Sequence, residues 1–222
     1  MKSFRNHFKK STYLVVLVGF GVANAGSYDD FFVALKNDDV RTVQQLLVRG
    51  FDANTLDPQG QLGLIMAIQE PSPKAASLLM DHPKINLNAL NRSGESPLML
   101  AALNGQLDIA TRLVKKGADI NKTGWTPLHY AATKGHVEVI KLLLENHAYI
   151  DAESPNGSTP LMMASMYGSP QAVKLLIDEG ADPLLKNQSG LTALQFAQRG
   201  NRPDSVELLT KAMRGKQLTG SW

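Results

Sequence analysis

The chemical resources of this 222-residue chain are five histidines, 20 acidic residues, many serines and no cysteine. The absence of cysteine removes disulfides, cysteine-ligated zinc, iron–sulfur clusters and a thiol nucleophile. A histidine beside a carboxylate could still move protons, and several converging histidines and carboxylates could hold a metal. The spacing offers neither arrangement. His7 lies in the basic N-terminal segment, and His82 and His147 fall in polar linkers with no second ligand at helical spacing. No G-x-S-x-G elbow and no glycine-rich phosphate loop is present. Asp52, Asp57, Asp81, Asp119, Asp151 and Asp182 sit among turn formers, where a carboxylate caps local backbone amides. The chain is therefore expected to be non-enzymatic, with no catalytic residue, no cofactor and no metal.

The elements that carry these residues repeat. Glycines before a short apolar helix recur at Gly60, Gly94, Gly124, Gly157 and Gly190, with steps of 34, 30, 33 and 33. Leu46, Leu79, Leu113, Leu143, Leu176 and Leu209 keep the same register, including the short step. In one unit, Thr126 caps a helix that opens with Pro127, and Leu128, Ala131 and Ala132 give that helix a narrow apolar face. Gly135 ends it, and Val137, Val139, Ile140, Leu143 and Leu144 recur at helical spacing along a second helix. Neither helix can bury its apolar face inside one unit, so stacked neighbours must do it.

This pattern resembles the ankyrin repeat family. Thr126, Pro127, Leu128, His129, Ala131, Ala132, Gly135 and His136 match its signature, and Ser96–Leu98 and Thr159–Leu161 repeat the helix entry. Gly117, Ala118, Asp119 and Asn121 carry its linker signature, as do Gly180, Ala181 and Asp182. The resemblance covers about residues 28–213. It implies an all-α solenoid of about six helix-turn-helix repeats with β-turn fingers, at roughly 28–56, 57–90, 91–120, 121–153, 154–186 and 187–213. It also implies backbone-bonding, structural roles for His129 and His136.

Departures mark particular repeats. The second has Leu62 and Gly63 where the fourth and fifth have Thr126-Pro127 and Thr159-Pro160, and Pro71 and Pro73 lie between its helices; it is expected to be the most irregular. The short step places a three-residue deletion between Asn121 and Gly124. Arg202, Asp204, Glu207, Lys211 and Arg214 give the last helix a charged outer face, and residues 215–222 read as a flexible tail after a repeat domain spanning 26–214.

Residues 1–25 read as a cleaved secretory signal: basic Lys2–Lys10, apolar Leu14–Val22, then Ala23-Asn24-Ala25. The apolar run is about half of the roughly 20 residues needed to span a bilayer, so no stable membrane insertion is expected after cleavage. The general secretion route and the periplasm follow, with secretion from the cell as the alternative. Four of the 23 basic residues leave with this segment, so the rest of the chain carries 19 against 20 acids. That balance removes the support for nucleic-acid binding.

What remains is surface. The resemblance implies a concave binding face made of turn tips and first helices, for a protein partner not identified by the sequence. Mapped by register, Trp125, Leu103, Met166, Tyr167 and Leu191 supply its apolar part, and Arg92, Glu95 and Lys134 its charged rim. Trp125 has a second reading, in which it folds back over the shortened turn. Met162 and Met163 are assigned to the core. Two alternatives stand beside a general binding module. One is a specific inhibitor or immunity protein for a periplasmic toxin or enzyme. The other is an enzyme with a site in residues 55–90, near Gln59, Gln69 and Glu70.

Overall fold

The computed structural model describes residues 26–70 and 72–219. The expected signal segment lies outside the described residues. Twelve helices and one isolated bridge, Leu56 with Leu62, make up the described secondary structure, so the fold is an all-α repeat solenoid. The helices form two compact units, one ending at Ile85 and one beginning at Asn86.

The first unit contains α1 (26–36), α2 (Val40–Val48), α3 (Gly63–Gln69) and α4 (Pro73–Asp81). Phe31, Leu35, Leu64, Ile65, Ile68 and Leu79 are fully buried in it. The missing Thr-Pro entry of α3 has a packing cause. A Cβ on Gly63 would stand 2.9 Å from both Leu35 and Phe31, so only glycine lets those two side chains close over the helix start. The irregularity expected here is visible at the helix ends. Leu62 gives α3 no side-chain cap, and the buried hydroxyl of Ser72, at the entry to α4, has no hydrogen-bond partner among the described residues.

The second unit stacks four helix pairs. The first helices are α5 (Pro97–Leu103), α7 (Pro127–Lys134), α9 (Pro160–Tyr167) and α11 (Ala193–Arg199). The second helices are α6 (Leu107–Lys115), α8 (Val137–Glu145), α10 (Pro170–Asp178) and α12 (Pro203–Thr219). Each first helix packs on the next in the order α5, α7, α9, α11, and each second helix likewise on its neighbour. The entries follow the sequence logic. Ser96 and Thr159 accept hydrogen bonds from the amides of Met99 and Met162, and proline occupies the first turn. Small residues let the first helices approach: Ala101, Ala102, Ala131, Ala132, Ala164 and Ala197 are all buried. Gly168 marks the tightest place, where a Cβ would press on the carbonyl oxygens of Ala132 and Ala164.

Two expectations are corrected. Helix α12 continues to Thr219, so residues 215–219 are helical where a tail was expected. Arg202 does more than charge the outer face. Its guanidinium donates to the carbonyls of Met166 and Tyr167, at 3.3 and 3.4 Å, and so closes the end of α9.

Candidate binding face

His129 and His136 hold the first helices in register. His129 is fully buried. Its Nε2 faces the carbonyl of Ser158 at 3.0 Å, and a carbonyl only accepts, so Nε2 carries the proton. Nδ1 is then the acceptor for the amide of Thr126, at 3.2 Å, and for its hydroxyl, at 2.8 Å. Burial lowers the pKa of this ring to about 4, against the hydrogen bond to Ser158. His136 bonds the carbonyl of Leu103 through Nε2 at 3.0 Å. Both imidazoles thus tie one repeat to its neighbour. Among the described residues no group of three or more His, Asp or Glu could hold a metal ion.

The eight residues assigned to the face all belong to the second unit, and their environments differ. Tyr167, at the end of α9, is 52% exposed. Leu103, Met166 and Leu191 are half-buried at helix ends and a turn tip. Trp125 is also half-buried. Its ring meets that of His129 edge to face, with centroids 5.3 Å apart at 78°, so the tryptophan packs on the start of α7 and leaves part of its surface outward. Arg92 and Lys134 are exposed, Lys134 in the last turn of α7. Glu95 is half-buried and fixed. Its Oε1 accepts from the hydroxyl of Tyr130 at 3.0 Å, and its Oε2 from the Asn91 amide at 2.8 Å. Burial, and then the bond and charge of Glu95, push the Tyr130 phenol above its ordinary pKa.

Tyr130 was missed by sequence reasoning, although a signal existed. Leu100, Tyr130, Met163 and Phe196 occupy one register position, with steps of 30, 33 and 33 that copy the repeat period. Leu100 is buried, but Tyr130, Met163 and Phe196 are half-buried along the first helices. Met163 is therefore corrected from core to face. Met162 is core, with its sulfur accepting from the amide of Thr159 at 3.4 Å.

The first unit carries a shallow groove of about 280 Å³ lined by Gln44, Leu47, Val48, Leu78, Asp81, His82 and Pro83. A second, of about 340 Å³, is lined by Arg41, Gln44, Gln45, Val48 and Arg49. Gln59, Gln69 and Glu70 line neither. Gln69 instead accepts a hydrogen bond from Gln61. No helix among the described residues is long and apolar enough to cross a membrane.

A family model for ankyrin repeats, in three copies, matches residues 31–123, 84–154, 121–187 and 147–219. No curated protein matches. Several solved structures do. One is a chain in the complex of the predatory endopeptidase Bd0816 from Bdellovibrio bacteriovorus with the immunity protein Bd3460. It is 28% identical with a TM-score of 0.71, over 82% of this chain and 97% of that one. An ankyrin repeat domain from Acinetobacter baumannii AYE is 29% identical, with a TM-score of 0.73 over 82% and 96%. The human ASB11 ankyrin repeat domain is 26% identical, with a TM-score of 0.74 over 82% of each chain.

Proposed function

The chain belongs to the ankyrin repeat family, whose repeats are protein-interaction modules, and on that premise we propose that it is an exported, non-enzymatic binding protein of the periplasm. The partner is held on the first-helix and turn-tip face between residues 91 and 199. The observation that carries this reading is the stripe on that face. Tyr167 is exposed, and Leu103, Tyr130, Met163, Met166, Leu191 and Phe196 are half-buried along four rigidly stacked helices. Such a surface is preformed, so binding costs little ordering entropy.

A specific observation favours a narrower role, that of an inhibitor or immunity protein. A chain of nearly the same extent lies in a complex between an endopeptidase and its immunity protein. By analogy, this chain would cover an enzyme that acts outside the cytoplasm, with the partner named by its enzyme class alone.

The experiment passes periplasmic extract over the immobilised chain and over a Met166→Ala/Tyr167→Ala variant. A protein retained by the first and lost from the second supports the face. Two truncations at about 2 kcal/mol each would weaken binding by far more than tenfold. Retention by both columns places the partner elsewhere, and retention by neither sinks the binding role. Loss of hydrolytic activity from extract treated with the soluble chain separates an inhibitor from a passive binder. Export is read from the N-terminus of the protein recovered from the periplasm, which is expected to be Gly26; recovery only from the cytoplasm, starting at Met1, overturns it.

A further inference from the structure

The loops that enter the first helices of the second unit share one construction, and one of them breaks it. Asn91 and Gly94 donate their amides to the carbonyls of Glu95 and Asn91, at 3.0 and 2.9 Å. Ser154 and Gly157 do the same to Ser158 and Ser154, at 3.0 and 2.8 Å, and Asn187 and Gly190 to Leu191 and Asn187, at 3.0 and 2.8 Å. The finger between α6 and α7 has neither bond. Its base is intact. Asn121 accepts from the amide of Tyr149 and donates to the carbonyl of His147, as Asp151 accepts from the amide of Asp182 and Asn88 from that of Asp119. From this anchor to the glycine before the helix there are six positions in Asn88–Gly94 and Asp151–Gly157, but three in Asn121–Gly124. The missing residues are therefore the tip, and the row of fingers has a notch.

The notch is lined in a particular way. Glu95 stands on one side and Pro155 on the other, the latter 3.5 Å from where a Gly124 Cβ would be. Tyr130 donates its hydroxyl to Glu95, Trp125 follows Gly124 in the chain with its ring against His129, and the ammonium of Lys122 reaches the carbonyl of Gly94 at 3.4 Å. The two hydrogen bonds to Glu95 come from neutral donors, one on each oxygen, and fix its rotamer while leaving each oxygen a further lone pair. No lysine or arginine among the described residues pairs with it, although Arg92 is exposed on the same tip. A half-buried carboxylate fixed beside the Tyr130 ring, with no cation paired to it, fits a planar guanidinium, which can take both oxygens and stack on a ring.

We propose that the notch receives an extended loop of the protein partner, and that an arginine of this loop seats on Glu95. The proposal rests on the binding role argued above and adds the chemistry of the partner. The probe is a random peptide library displayed on phage and selected against the purified chain. Selected peptides should share an arginine. Replacing it by citrulline, or Glu95 by Gln, should weaken them roughly tenfold or more. Three residues inserted after Asn121, restoring the length of the neighbouring fingers, should abolish binding with the helical circular dichroism unchanged. Should that insertion unfold the chain, Glu95→Gln, which removes the charge and keeps the shape of the side chain, still decides, with circular dichroism confirming that the variant is folded. Peptides without a common arginine, peptides indifferent to Glu95→Gln, or no enrichment at all overturn the proposal. Peptides lost only on Met166→Ala/Tyr167→Ala overturn the notch and leave the binding face standing, whereas failure of the face itself is read from the extract columns.

Discussion

At the scale of single residues, His129 couples stability to pH. Above about pH 6.5 its ring is neutral whether the chain is folded or not. Below that, the unfolded chain binds a proton that the folded chain refuses until about pH 4. Stability therefore falls as pH drops through this window, by up to about 3 kcal/mol. Urea midpoints at pH 7 and at about pH 4.5 measure the slope, and His129→Gln should flatten it. An equal slope in both proteins would show that other groups set the pH dependence. His147 offers the opposite kind of test. It holds φ +65° where Gly50, Gly117 and Gly180 stand in other repeats. A side chain there costs about 1–2 kcal/mol, part of it returned as unfolded-chain entropy when glycine replaces it. His147→Gly should raise the unfolding free energy by about 1 kcal/mol; a fall would mean the imidazole makes a contact that outweighs the strain.

At the scale of elements, the sequence placed the helices because two independent residue sets share one period, and a chance coincidence of register is hard to produce. Caps, proline entries and the shortened finger were legible for the same reason: each is a local departure from, or match to, a repeated unit. What was illegible depends on contacts between units. Nothing near Trp125 in sequence says that its ring meets His129 rather than solvent. In sequence Glu95 reads as a rim charge, since its partner Tyr130 lies 35 residues away. Arg202 likewise reads as part of a charged outer face, though its acceptors are the last carbonyls of α9. Close approach between elements was equally hidden at Gly168. Gly168→Ala should cost about 1–3 kcal/mol in chemical denaturation, because the new methyl meets the backbone oxygens of Ala132 and Ala164, which cannot yield as a side-chain tip would. A change within about 0.5 kcal/mol would show that the turn between α9 and α10 relaxes freely.

At the scale of the whole chain, a repeat array holds together by nearest-neighbour terms, so weakness in one repeat stays local. Within the unit ending at Ile85, α3 and α4 start poorly. Helix α3 lacks a side-chain cap, and α4 starts beside a buried Ser72 hydroxyl with no partner among the described residues. A missing cap costs about 1 kcal/mol, and an unpaired buried hydroxyl about 1–3. In the second unit, α5 and α9 are closed by serine or threonine caps, and α7 is further tied by His129 to the next repeat. Opening of α3 and α4 should therefore demand a few kcal/mol less than opening of α7 and α9. Hydrogen exchange on the intact chain would read this directly. Amides in 63–81 should exchange roughly a hundredfold faster than those in 128–134 and 161–167, since each 1.4 kcal/mol is a factor of ten. Equal protection would mean that the packing of Phe31 and Leu35 over Gly63 offsets the poor helix ends. A partner seated on residues 91–199 should then slow exchange in the second unit and leave 63–81 unchanged.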